Sequence, residues 1–182
     1  MFISQKLRKE NIAEYLLYMW QIEDLLRACN MDIDIVREKY LSRFSELSPT
    51  QQKEQEQWYS DLIDMMRSEH IVQSGHLQIN RNIILNLREL HNSLISSDKF
   101  PYFKAAYYDA LPVIVELRKK SGVENVEEIE TCFNLLYGVM LLRMQGKEIT
   151  KETEDGLKPV SSYISMLAGY FLKNEETPLV FD

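Results

Sequence analysis

Cysteine is nearly absent from this chain. Cys29 and Cys132 are the only two, and they lie far apart, so no disulfide framework staples the fold. Both fall in apolar helical patterns and read as buried thiols. Histidine is also scarce, with three in all, His70, His76 and His91. A zinc or iron site needs three or four ligands, and His91 lies well along the chain from the other two. No C-x-x-C, H-E-x-x-H, G-x-S-x-G or glycine-rich phosphate loop occurs, so metalloprotease, serine-hydrolase and phosphate-loop chemistry lose their sequence signatures. Basic charge is in deficit: 21 Lys and Arg stand against 28 Asp and Glu, a net charge of -7. That balance argues against nucleic-acid binding and against docking on an anionic membrane. The longest uncharged run, Pro159 to Leu172, is too short for a membrane span and carries serines and a glycine. Met1 to Glu10 has charges where a secretory leader needs apolar residues, so the chain reads as cytoplasmic.

What is present is helical. There are 23 Leu and 19 Glu against 9 Val and 5 Thr, and no segment alternates with period two for long. The 6 glycines and 5 prolines fall mostly where a helix should start or stop. They divide 182 residues into seven helical segments. Asn11 with Glu14 opens the first, which runs to about Cys29 and stops at Asn30. Asp32 caps a second, to about Ser45. Ser48-Pro49 starts a third, ending by Ser74-Gly75. A fourth runs from about Leu77 to Ser96. Asp98 and Pro101 open a fifth, closed by Gly122. Asn125 caps a sixth, from Val126 to Gln145, and Gly146 closes it. Thr150 caps a seventh, kinked by Pro159 and ending near Lys173. Short connections make sequential helices antiparallel neighbours. The expectation is an all-α single domain over 1–182, an up-and-down helical bundle of six or seven helices, with 175–182 as an extended C-terminal tail.

The faces are legible too. Ile83, Ile84, Leu87, Leu90 and Leu94 form one stripe. Trp58, Tyr59, Leu62, Ile63, Met65 and Met66 form another. Gln51 to Gln57 is polar all round and reads as a solvated extension. Gly138 and Gly169 sit inside apolar helices, where glycine costs about 1 kcal/mol relative to alanine, so each is expected to mark a close helix crossing.

Asn11-Ile-Ala-Glu-Tyr-Leu-Leu-Tyr-Met-Trp20, continued by Gln21-Ile-Glu-Asp-Leu-Leu-Arg27, resembles the N-terminus of a domain-of-unknown-function family of small helical proteins from Bacteroidetes-type bacteria. The resemblance implies a small cytosolic bacterial protein. It transfers no activity, cofactor or catalytic residue.

Four positions stand out as candidate ligand-pocket residues. Glu23 shares a helical face with Ile12, Leu16 and Met19, and Arg27 lies one turn on, within pairing reach. A carboxylate in an apolar arc is either part of a buried ion pair or a pocket floor. Tyr107 and Tyr108 sit beside Pro112, which removes one helical hydrogen bond and frees a carbonyl near Tyr108. A second pattern, Glu127 and Glu130 with Glu152 and Asp155, resembles the metal-binding signature of all-α nucleoside-triphosphate pyrophosphatases. Acidic first turns have a simpler cause in the helix dipole, and no metal or cofactor is assigned. With no complete catalytic set, the preferred reading is a non-enzymatic interaction or scaffold protein. It would self-associate or hold a protein partner through apolar surface on the first helix or the C-terminal segment. The alternative is a small-molecule binder or enzyme with a pocket near Pro112.

Overall fold

The structure, a computed structural model, describes residues 1–121 and 127–181. Among them are eight α-helices and no strand. They are α1 (Phe2–Glu10), α2 (Ile12–Ala28), α3 (Ile33–Lys39), α4 (Pro49–Ser68), α5 (Gln78–Ser96), α6 (Pro101–Ser121), α7 (Glu128–Met144) and α8 (Lys151–Glu176). A single 3-10 turn, Leu41–Arg43, follows α3. The count exceeds the expected six or seven because charged Phe2–Glu10 forms a helix of its own. No helix among the described residues is long and apolar enough to cross a membrane.

The helix ends follow local chemistry. Asn11 Oδ1 accepts from the Ala13 amide at 3.0 Å. Asp32 accepts from the amides of Asp34 and Ile35, and Thr150 from that of Thr153. Ser48 and Gln51 form a reciprocal capping box ahead of Pro49. At the other end, Asn30 and Gly146 take positive φ, 53° and 67°, and close α2 and α7 as expected. In both, the following amide reaches back to the last turn: Met31 to Leu26 O at 2.9 Å, and Lys147 to Leu142 O at 3.0 Å.

One stop differs. α4 ends at Ser68, not near Gln73, because His70 adopts the left-handed conformation at φ 58°. The same pair of reverse bonds then forms, His70 N to Arg67 O and Ile71 N to Met66 O. The Gly122 stop, the Asn125 cap and the Val126 start lie outside the described residues.

The chain forms two compact units. The first comprises Met1–Glu10 and Glu14–Asn82. Its core joins Met19, Ile22 and Leu26 of α2 to Tyr59, Leu62, Ile63 and Met66 of α4, with Val36, Ile71 and Leu77. Tyr15 to Trp20, apolar on every side, is therefore interior: its residues are buried or half-buried. Gln55 departs from its solvated neighbours and is buried.

The second unit comprises Asn11–Ala13 and Ile83–Asp182. Its buried residues include Leu87 and Leu94 of α5, Phe103 and Ile114 of α6, Phe133 and Val139 of α7, and Tyr163, Leu167 and Phe171 of α8. α6 and α8 pack antiparallel: Lys120 meets Glu152 at one end, and Phe100 meets Tyr170 at the other. The two helices run on through Pro112 and Pro159 respectively.

Gly138 and Gly169 do not mark crossings. A Cβ at either would meet nothing within 4 Å. Ser161, Ser165 and Gly169, small residues at every fourth position of α8, face solvent. The tail starts two residues later than expected, after Glu176. It folds back within its own unit. Leu179 N donates to Asn174 Oδ1 at 2.9 Å, the Phe181 carbonyl accepts from the Ser97 hydroxyl, and the Phe181 ring lies 5.7 Å from Phe100.

Candidate functional site

Glu23 is 1% exposed and its carboxylate is fully engaged. Oε1 accepts from the Leu77 amide at 3.0 Å and from Asn80 Nδ2 at 2.7 Å. Oε2 lies 2.6 Å from His76 Nδ1, and the His76 ring stacks on Trp20 with centroids 4.0 Å apart. Beside it, Glu69 accepts from the Gln78 amide at 2.7 Å. Two carboxylates thus terminate the first turn of α5, where exposed N–H groups and the helix dipole favour negative charge.

Arg27 is not the partner of Glu23. It pairs with Asp24 at 2.8 Å and donates to the carbonyls of Ile71 and Gly75, closing the loop that follows α4. Glu23 faces the core, whereas Asp24 lies beside it on the solvent side, so the long Arg27 chain meets Asp24 first. Glu23 therefore acts as a capping group for a helix more than fifty residues away in the chain, since Leu77 lies 54 residues on.

In the second unit Tyr107 joins a buried aromatic and polar cluster. Its hydroxyl donates to Glu128 Oε2 at 2.8 Å, and its ring lies 4.8 Å from His91. His91 Nδ1 is 2.9 Å from the Tyr163 hydroxyl, with Phe103 against its edge. His91 is thus a core residue. Its signal was present: position 91 continues the Ile84, Leu87, Leu94 stripe at helical spacing. Tyr108 points the other way and is 58% exposed.

The electrostatics of this cluster disfavour nucleophilic chemistry. Burial pulls His91 below its ordinary value of 6.5, against an opposing pull from Glu128. Burial also pushes the Cys132 thiol up to about 12, and Glu128 adds to the rise. Burial, then the bond to Glu128, raises the Tyr107 phenol. A cysteine nucleophile requires the opposite shift, toward thiolate. These groups are held neutral and pack the interior.

The four acidic residues of the pyrophosphatase-like pattern are distributed on the surface of this unit. Glu127 pairs with Arg88, and Glu152 lies 3.2 Å from Lys120. No group of three or more His, Cys, Asp or Glu among the described residues is placed to hold a metal ion. Near Pro112, Val113, Leu117 and Leu135 line a half-open cleft of about 300 Å³ with Glu116, Lys120 and Glu152 at its rim. Neither Tyr107 nor Tyr108 reaches it.

The outward face of α6 carries a feature the sequence reading did not single out. Pro101, Ala105, Tyr108, Pro112 and Val115 are all exposed, at alternating spacings of four and three. Tyr108 and Val115 are 58% and 55% exposed. The opposite face buries Phe103, Ala110 and Ile114. The heptad spacing was available in the sequence, but which of two apolar faces points inward is decided by packing.

The family model described as Domain of unknown function (DUF4924) matches residues 1–177. No curated protein and no solved structure matches.

Proposed function

The chain belongs to this family of unknown function, and on that premise we propose that it is a non-enzymatic interaction protein that pairs with a second copy of itself through α6. The observation that carries the reading is the exposed apolar row Ala105, Tyr108, Pro112 and Val115 on a helix already packed on its other side. Apolar residues repeating at four and three are the pattern that one helix presents to another. The row itself is uncharged, so burying it against a second copy takes no charge out of water. The row is centred between Tyr108 and Pro112, so a two-fold axis there lets it meet itself.

The other surfaces expected to serve are occupied. α2 is interior, and the tail packs against Ser97 and Phe100. A cytoplasmic, bacterial setting is part of the proposal, supported by two buried free thiols that a reducing compartment preserves.

The test is molar mass in solution over a wide concentration range, for the parent and for Tyr108→Glu with Val115→Glu. The parent is expected to dimerise. The double variant is expected to stay monomeric with the parent's melting temperature, since both side chains are exposed. A parent that remains monomeric at high concentration, or a variant that still dimerises, would refute the reading.

A further inference from the structure

Tyr59 lies on the inner face of α4 at 0% exposure, in the core of the first unit. Its hydroxyl makes no direct hydrogen bond to any described residue. A buried hydroxyl without a partner is costly, and folded proteins satisfy nearly all such groups with protein atoms or with bound water. The ring is held by packing: Tyr40 meets it edge-on, with centroids 5.8 Å apart. The hydroxyl is therefore fixed in place and sealed from bulk solvent.

Its surroundings narrow what fits. Tyr18 of α2 and Tyr40, which closes α3, are half-buried and pack against the same core. Their hydroxyls converge on that of Tyr59 without forming a direct bond to it. Burial, and after it the Tyr18 and Tyr40 phenols, raise the Tyr59 phenol. Burial, and after it Tyr40, push the Tyr18 phenol up to about 12. The groups that act on both are phenols, with no acid or base among them. Nothing charged faces this point to hold an ion there.

We propose that the hydroxyls of Tyr18, Tyr40 and Tyr59 form a binding site for one buried water molecule, which is the hydrogen-bond partner of Tyr59 in the native fold. The guest must be neutral, because no charge is near, and small, because Tyr59 is enclosed. It must both donate and accept, because each phenol does both. Water meets all three conditions, and buried waters make about three hydrogen bonds, typically to polar groups otherwise unsatisfied. The water joins α2, the end of α3 and α4 at one point, so it acts as a structural joint of the first unit. This site is carried by Tyr59 and owes nothing to the pairing of α6.

The experiment is a high-resolution crystal structure of the full chain, with thermal unfolding of Tyr59→Phe beside it. The crystal should show an ordered water about 2.5–3.0 Å from Tyr59 Oη and at the same distance from the hydroxyl of Tyr18, Tyr40 or both. Tyr59→Phe should melt about 2–4 °C below the parent, the effect of one neutral hydrogen bond in a chain of this size. A direct bond from Tyr59 Oη to Tyr18 or Tyr40, with no water between, would overturn the proposal. So would a Tyr59→Phe variant at least as stable as the parent, which would leave the hydroxyl with no partner to lose. Anomalous scattering at the site in crystals grown with bromide would overturn the argument for a neutral guest.

Discussion

Replacing Glu23 by Leu should be among the most damaging single changes in the first unit, although the new side chain is apolar and the site is interior. The carboxylate satisfies three donors: the Leu77 amide, Asn80 Nδ2 and the His76 ring. His76 is partly exposed and can turn to water. Leu77 and Asn80 are both 0% exposed and cannot. Each orphaned buried donor costs roughly 1–3 kcal/mol. The Leu side chain recovers some of this by adding apolar contact, and the cost of burying a carboxylate disappears. The net expectation is a loss of about 3–5 kcal/mol, the range seen when one partner of a buried polar set is removed. For a chain of this size each kcal/mol moves the midpoint by about 2–4 °C. Thermal unfolding followed by circular dichroism should therefore show a drop on the order of 10 °C.

Glu23→Gln separates capping from charge. One carbonyl oxygen remains for Leu77 and Asn80, so the loss should be smaller, about 1 kcal/mol. A Glu23→Leu variant as stable as the parent, or Gln and Leu variants of equal cost, would refute the capping role of Glu23.

Other outcomes follow from the same structure. His91 has a folded-state pKa held below 6.5 by burial, so above 6.5 neither state takes its proton and the contribution is full. As pH falls below 6.5 the unfolded chain protonates first and stability declines until the folded-state value is reached. His91→Gln should reduce the slope of the urea midpoint with pH in that window, and an unchanged slope would remove the assignment. Gly138→Ala should stabilise by about 0.5–1 kcal/mol, because a Cβ there meets open space and alanine favours the helix, whereas Gly146→Ala should destabilise through its φ of 67°. Matched calorimetry of the two variants checks the opposite signs. Truncation after Thr177 should lower stability by about 1–3 kcal/mol at unchanged molar mass, as half-buried Leu179 and Phe181 leave Phe100 and Ser97. A change in mass instead would move the tail's docking site to another molecule.

Sequence by itself determined the helices and most of their ends. Asp32, Ser48-Pro49, Thr150, Asn30 and Gly146 act through bonds to groups within a few residues, so their effect is readable from neighbours alone. The stripes through Leu87 and Leu62 were equally local, because helical spacing puts those side chains on one face wherever the helix lies. His70 escaped because a left-handed residue other than glycine leaves no compositional mark.

Tertiary structure alone decided which partner each polar residue met. Glu23 lies 53 residues from His76 and 57 from Asn80, and nothing in that separation favours them over nearby Arg27. Gln55 stands in a polar run, yet packing turned it inward while the like side chains of Gln51, Gln52 and Gln57 stay exposed. α6 has apolar residues on two faces, and only docking against α8 chose Phe103 and Ile114 for the core and left Tyr108 and Val115 outside. Burial is a property of the assembled fold: a side chain's own chemistry sets what burial costs, and the neighbours brought by packing set whether that cost is met.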